Sequence, residues 1–325
     1  MTQPIVAGEA RNTAASAPAG EWIGIDWGTT HRRALRLVAG QVAGEVEDAQ
    51  GLTACAPHFA SSLDQLLHGL GAERNQATIV MSGMVGSASG WQEVPYLDAG
   101  TPLSDLPGRL QRLARSDAPP AAWIVPGVCW RGERGAVDVM RGEETQLFGA
   151  MHLLGGRSDG WYLLPGTHSK WVELREGRVQ WLHTYLSGEL FALLREHGTL
   201  SAIMRSGHAV SDADAQERAA FERGVAASAE AALSHALFAA RAQVVTGGLA
   251  AACGAAFVSG ALFGTEWHDM AGQLAHASPV RVIGAARLCA HHVRCAALLG
   301  FATEVLDSKA VQRAAWLKLR EEGPR

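Results

Sequence analysis

Trp22-Ile23-Gly24-Ile25-Asp26-Trp27-Gly28-Thr29-Thr30 is the stretch that decides how the chain folds. Mostly apolar residues end in an aspartate, a Gly-Thr-Thr turn follows, and a second apolar run occupies 34–38. Apolar runs of this length bounded by turn residues predict buried strands, so the pair predicts a β-hairpin with Asp26 at its mouth. Gly28 permits close approach of a ligand to the backbone. The Thr29 and Thr30 hydroxyls and the turn N–H groups suit phosphate oxygens. A carboxylate beside such a turn repels phosphate unless a cation lies between them, which points to Mg²⁺ with a nucleotide. A plain hairpin with a turn aspartate is the simpler alternative.

Outward from that hairpin, residues 41–48 predict a third strand and 57–70 an amphipathic helix carrying Phe59, Leu63, Leu66, Leu67 and Leu70. Residues 78–81 predict a buried strand that runs into Ser82-Gly83-Met84-Val85-Gly86-Ser87, the kind of small-residue loop at which α/β sheets place ligands. A helix is expected over 102–115, a strand over 122–125, and a polar crossover over 130–135. Residues 138–150 predict a loop entering a helix, with Arg141, Glu143 and Glu144 at its start. The two acids suit a helix N-terminus, or one of them faces a cleft as a general base.

Trp161 to Val172 repeats the first hairpin in outline: a strand, a Gly166-Thr167 turn, a strand, then a third strand over 179–183. Recurrence of this unit about 140 residues after its first appearance predicts two related halves. Helical patterns follow over 187–200, 212–242 (with an interruption near Gly224) and 250–275. A strand is expected over 280–283, a helix over 287–299, a last strand over 302–306 and a last helix over 308–322.

Composition narrows the class. The chain has 325 residues, 48% hydrophobic and 18% charged, enough for two domains with a sizeable core. A net charge of −4 without a basic block argues against nucleic acid or a membrane surface as the main partner. The cysteine count is five, with no C-x-x-C pair, which predicts free thiols in a reducing cytoplasm. Residues 1–20 are rich in Ala, Pro, Ser and Thr and lack the apolar core of a signal peptide, so a disordered tail is expected.

Two β-β-β-α-β-α-β halves, each with a Gly-Thr hairpin, resemble the actin-like ATPase fold. More closely, I-D-W-G-T-T (25–30), M-S-G-M-V-G-S (81–87), W-I-V-P-G-V (123–128), V-M-R-G-E-E-T-Q-L-F-G-A (139–150) and L-P-G-T-H-S-K-W-V (164–172) resemble the 2-dehydro-3-deoxygalactonokinase family over roughly 21–300. The resemblance implies an α/β protein of two actin-like ATPase domains, 21–128 and 129–325, with a cleft between them. It implies ATP-dependent phosphorylation of 2-dehydro-3-deoxy-D-galactonate at O6, in galactonate and galactose catabolism. A kinase of the same fold for another sugar or polyol, and an inactive ATP-binding regulator, are the alternatives.

The site residues implied are these. Asp26 would hold Mg²⁺, and Gly28, Thr29 and Thr30 would match the first phosphate hairpin. Gly166, Thr167, His168 and Lys170 would match the second. Gly284 falls in the adenosine element, where Ala285 replaces the expected hydroxyl residue. Glu143 is the expected base, with Glu144 as its rival and a candidate substrate contact. Because the substrate is a carboxylate, a cation must face it, and Arg33, Arg141 and Lys170 are the candidates. Gly83, Met84 and Trp91 are expected at the sugar. Gln312-Arg313-Ala314-Ala315-Trp316 stands where small residues are expected in the last helix. The expected partners are a small sugar acid and ATP, with neither nucleic acid nor membrane; a homodimer is compatible with the chain.

Overall fold

The computed structural model describes residues 20–205, 215–274 and 278–323. The expected tail up to residue 19, the start of the expected helix 212–242 and the end of the expected helix 250–275 lie outside the described residues. In chain order the first half contains β1 (Glu21–Trp27), β2 (Arg32–Val38), β3 (Gln41–Asp48), α1 (Leu52–Cys55), α2 (Phe59–Gly69) and β4 (Ala77–Gly83). It continues with β5 (Leu97–Asp98), α3 (Leu106–Arg109), β6 (Gln111–Arg112) and β7 (Ala122–Ile124). Next come β8 (Val128–Arg131), β9 (Val137–Met140) and α4 (Glu143–Leu154). The second half has β10 (Gly160–Leu164), β11 (Ser169–Arg175), β12 (Arg178–Tyr185), α5 (Ser187–Glu196), α6 (Ser201–Arg205), α7 (Ala215–Glu230), α8 (Leu233–Val245) and α9 (Gly254–Met270). It ends with β13 (Val280–Ile283), α10 (Ala286–Leu298), β14 (Thr303–Leu306) and α11 (Ser308–Glu322).

The repeat expected from the two hairpins is built into the sheets. One sheet has the order β3-β2-β1-β4-β7-β6 and the other β12-β11-β10-β13-β14. In each, three antiparallel strands are followed by parallel pairing of the first strand with a later one, β1 with β4 and β10 with β13. Between the sheets lie α4 and α11. Trp316 of α11 packs on Trp22 of β1 with ring centroids 5.8 Å apart. Leu147 and Phe148 of α4 share one apolar cluster with Leu37 and Val80 of the first sheet and Tyr162 and Val172 of the second. Each such fully buried side chain contributes about 1.5–3 kcal/mol. A side chain at Gly149 would collide with the Val311 carbonyl, so this glycine permits the close crossing of α4 and α11.

Four expectations are corrected. The helix over 102–115 shortens to a 3-10 turn over Leu103–Asp105 and α3: Pro107 is tolerated in the first turn of α3, Gly108 weakens it, and the chain leaves extended to pair β6 with β7. The crossover over 130–135 is instead the β8–β9 hairpin, whose turn places Arg134 and Gly135 at positive φ; with β5 it makes a third sheet, β5-β8-β9. The helix over 187–200 breaks at Gly198 (φ +73°) into α5 and α6. The interruption near Gly224 lies instead between α7 and α8; Gly224 is inside α7 and permits its close crossing with α9, since a side chain there would strike the Phe257 carbonyl.

Candidate active site

The two hairpins are braced in the same way. In the first, Gly28 N–H closes the turn on the His31 carbonyl at 2.9 Å. The start of α1 then ties down the turn carbonyls, with Leu52 N–H on Gly28 O (2.9 Å) and Thr53 N–H on Thr29 O (3.1 Å). Thr29 and Thr30 are left exposed. In the second, Glu189 N–H at the start of α5 donates to Thr167 O at 2.9 Å, and Gly188 packs against the Gly166 carbonyl. Thr167 and His168 are exposed, and His168 Nε2 pairs with Glu189 Oε2 at 2.6 Å. Gly284 lies against Pro165, so the loop entering α10 adjoins the second hairpin.

Asp26 sits at the end of β1, across from Arg33 and parallel to Ser82 of β4. Its Oδ2 accepts a hydrogen bond from Gln312 Nε2 of α11 at 3.3 Å. Its Oδ1 faces Gly83 and Gly142. A Cβ on Gly83 would come within 3.4 Å of that oxygen and one on Gly142 within 3.8 Å, and both glycines have positive φ (+88° and +113°). Oδ1 is therefore bordered on two sides by backbone in a conformation that other residues rarely adopt. Burial pushes the Asp26 carboxyl up to about 6, the Arg33 charge opposes the shift, and Glu143 adds to it.

Glu143 and Glu144 open α4 and diverge at once. Glu143 is half-buried, and its Oε2 accepts the Arg141 N–H at 3.0 Å. Glu144 is fully buried; its Oε2 accepts the Gly142 N–H at 2.7 Å and its Oε1 the Thr145 hydroxyl at 3.1 Å. Burial first, and the neighbouring Glu143 charge second, raise the Glu144 carboxyl to about 8. Burial thus favours the neutral form of Glu144, which fixes the Gly142 turn, whereas Glu143 is the member of the pair whose charge bears on Asp26.

The three candidate cations separate clearly. Arg33 is exposed and ion-paired to Glu47 at 3.0 Å. Lys170 is buried, with its ammonium on the Val139 carbonyl (2.8 Å) and the Thr184 hydroxyl (2.9 Å). Arg141 is buried under the ring of Tyr96 (4.2 Å) and donates from Nη2 to the Val94 carbonyl at 2.7 Å. Its Nε and Nη1 are buried without a hydrogen-bond partner. Met84 is half-buried beside Gly83. Trp91 departs from the expectation of a sugar contact: it is buried, stacked on Phe59 and edge-on to Trp27, and its indole N–H donates to Asp117 at 3.3 Å.

Sequence reasoning missed Gln312 and Tyr96 as members of the site. Gln312 was visible only as a polar residue in the last helix where a small one was expected, and its reach of 286 residues back to Asp26 needs the fold. Tyr96 gave no signal, since its place over Arg141 depends on β5.

Paired sheets of this repeated order, with a carboxylate at the first hairpin and helices between the sheets, define a protein of the actin-like ATPase fold. The activator of the 2-hydroxyisocaproyl-CoA dehydratase from Clostridium difficile, solved with bound ADPNP, superposes with a TM-score of 0.51 at 13% identity, over 93% of this chain and 95% of that one, a likeness of fold alone. Within that fold the chain belongs to the 2-keto-3-deoxy-galactonokinase family, whose model matches residues 26–319.

A 2-dehydro-3-deoxygalactonokinase of Escherichia coli (strain K12) is 31% identical over 86% of this chain and 90% of its own length. A probable 2-dehydro-3-deoxygalactonokinase of Rhizobium meliloti is 38% identical over 81% and 83%. A crystal structure from Sinorhizobium meliloti, of a protein assigned to the same activity, superposes with a TM-score of 0.79 at 33% identity, over 91% and 94%. The chain accordingly has 2-dehydro-3-deoxygalactonokinase activity, in galactonate catabolism, and membership in a kinase family implies ATP as donor. No helix among the described residues is long and apolar enough to cross a membrane.

Proposed function

We propose that Asp26, the two hairpin tips, Glu143 and Arg141 are the working parts of the transfer of the ATP γ-phosphoryl group to O6 of 2-dehydro-3-deoxy-D-galactonate. The observation that carries this is the convergence of β1, the Gly83 loop and the start of α4 around Asp26 Oδ1. In this reading 21–128 and 129–325 act as the two ATPase domains, each contributing one hairpin to the phosphates.

The residues present fit a divalent cation. Asp26 offers a carboxylate oxygen bordered by two glycines, and Mg²⁺ is commonly held by one or two carboxylates plus phosphate oxygens. Mg²⁺ would supply charge neutralisation on the phosphates. Gly28, Thr29 and Thr30 bind the phosphates from one side and Gly166, Thr167 and His168 from the other. Gly284, against Pro165, leads to the adenosine side. Glu143 accepts the proton of the attacking hydroxyl, and Gly83 and Met84 border the sugar. Glu144 acts by holding the Gly142 turn.

Arg141 receives the substrate carboxylate. Of the three cations it alone has buried donor nitrogens without partners, and a guanidinium fork in dry surroundings is well matched to a carboxylate. The five cysteines are all free and buried, which suits the reducing cytoplasm. Solution mass decides whether the chain forms a homodimer.

The test compares the sugar acid with its neutral 2-dehydro-3-deoxy counterpart in a coupled kinase assay, with the phosphorylated position read by phosphorus–proton coupling. Wild type should prefer the acid and label O6. Arg141→Met should raise KM for the acid on the order of 10–100-fold, the scale of hydrogen bonds to a charged group, and leave KM for ATP in place. Equal turnover of the neutral sugar by wild type would remove Arg141 from this role.

A further inference from the structure

β9 leads directly into Arg141-Gly142-Glu143, so whatever fixes β9 also fixes the proposed base. In its own sheet β9 is an edge strand, paired with β8 alone. Its other side is fastened to the second hairpin's sheet by a polar network. Lys170, second residue of β11, sends its ammonium to the Val139 carbonyl of β9 (2.8 Å) and to the Thr184 hydroxyl of β12 (2.9 Å). Thr184 passes the link on: its hydroxyl donates to Asp138 Oδ1 (2.6 Å) and its N–H to Asp138 Oδ2 (2.7 Å). Asp138 Oδ1 also accepts the Val139 N–H at 2.7 Å. Lys170 is 7% exposed, and an ammonium so far removed from water is held only where oxygen acceptors replace its hydration.

We propose that Lys170 is a positioning residue: it locks β9 to the second phosphate hairpin, so that the proton acceptor and the phosphate-binding turn move as one body. The proposal rests on Glu143 as the base. The hairpin tip that meets phosphate is Gly166 to His168, whereas the ammonium two residues on turns away to β9. Displacing β9 by even an ångström would spoil the alignment of base and hydroxyl without touching either substrate.

The test uses Lys170→Met, Thr184→Val and Thr184→Ser. Kinetics are measured at saturating substrates, ATP affinity by calorimetry and melting temperature in parallel. Lys170→Met and Thr184→Val should each lower kcat on the order of 10²-fold, the cost of a small misplacement of reacting groups. ATP affinity and both KM values should stay within about twofold of wild type, and Thr184→Ser, which keeps the hydroxyl, should restore kcat. In a Glu143→Gln background Lys170→Met should cost nothing more, because the group it positions is gone. A tenfold or larger loss of ATP affinity in Lys170→Met would make Lys170 a phosphate ligand and overturn the proposal. A rise in KM for the sugar acid alone would make it the carboxylate receptor, with the same consequence. A lowered melting temperature with unchanged kcat would reduce the network to a structural one and also overturn it. If Glu143→Gln alone kept full turnover, the base assignment would fail first, while the kcat loss in Lys170→Met would still report whether the network positions another group.

Discussion

The two hairpins occupy equivalent places in equivalent sheets and carry opposite chemistry. Asp26 stands two residues before Gly28 and pairs across the strands with Arg33; Leu164 stands two residues before Gly166 and pairs with Lys170. Both tips are braced by the backbone at the start of the next helix, and both end in Thr-His. In the first half the acid's Oδ1 lies beside Gly83 and Gly142, and the cation lies outside, paired to Glu47. In the second half the acid's place is taken by an apolar residue in the core, and the cation has turned inward to hold β9. In the proposed reading the duplicated scaffold would supply phosphate-binding turns twice, while a single carboxylate would suffice for a metal, which accounts for its presence in one copy alone. The other copy would then be free to use the cation of the equivalent strand pair for alignment, as proposed for Lys170.

The sharpest way to break this comparison is to remove the charge from the first hairpin. Asp26→Asn should fold, since the amide still offers an oxygen to Gln312, yet lose turnover by roughly 10³-fold or more, because charge stabilisation of the transferring phosphoryl group is the main contribution of such a site. Binding of Mn²⁺ as a probe, read by its relaxation signal with nucleotide present, should weaken in parallel. Normal turnover with Mg²⁺ would mean that the two hairpins do not differ in the way argued.

How much of this was legible in the sequence follows from the range of the interactions involved. The hairpins and their repetition were legible because apolar runs and Gly-Thr turns are local signals, and the last helix was placed correctly over 308–322, where the structure shows Asp307 capping it. Residues 102–115 misled because an apolar pattern was read past Pro107 and Gly108. In the site, Asp26 and Glu143 carry local signals. The separation of Arg141 from Arg33 and Lys170 does not: all three are cations near a turn, and only the fold shows Arg141 buried at Tyr96, Lys170 buried at Val139 and Arg33 exposed on Glu47. Trp91 misled for the same reason, since proximity in sequence to a loop does not show on which side of β4 a ring packs.

A second, smaller effect sharpens the contrast within α4. Glu143→Gln should lower kcat by roughly 10²–10⁴ with substrate binding largely kept, the usual range for losing a general base. Glu144→Gln should stay within a fewfold of wild type, because a neutral amide serves the Gly142 N–H as well as a protonated carboxyl does. Turnover of both variants at saturating substrates decides the matter. A dead Glu144→Gln beside an active Glu143→Gln would move the base by one residue, and two active variants would place it elsewhere.

The smallest effect concerns stability, and here the two halves are alike. Each has a fully buried carboxyl behind its working loop: Glu144 under the Gly142 turn, and Glu266 of α9, which accepts the indole N–H of Trp171 at 3.1 Å beneath the second hairpin. Burial raises Glu144 to about 8 and Glu266 to about 7, from an ordinary value of 4.5. Between that value and the raised one the folded state binds more protons than the unfolded, so the contribution is full at low pH and is lost as pH rises. His292 acts in the opposite sense. Burial, and then the neighbouring His291, press it down to about 3 from 6.5, so its contribution grows with pH over that interval and is complete by 6.5. Above pH 6.5 the falling arm of the two acids is therefore left without this offset. Wild type should lose melting temperature between about pH 6.5 and 8, by a few °C, while Glu144→Gln should fall only up to about pH 7, where Glu266 finishes titrating, stay flat above it and be more stable than wild type at the alkaline end. Glu266→Gln should flatten only the part below about pH 7, because its parent group has finished titrating by then. The measurement is a set of thermal melts across that range for all three proteins. If Glu144→Gln melted in parallel with wild type at every pH, Glu144 would be charged in the folded protein, and with two carboxylates ionised at the start of α4 the assignment of Glu143 as sole base would have to be reopened.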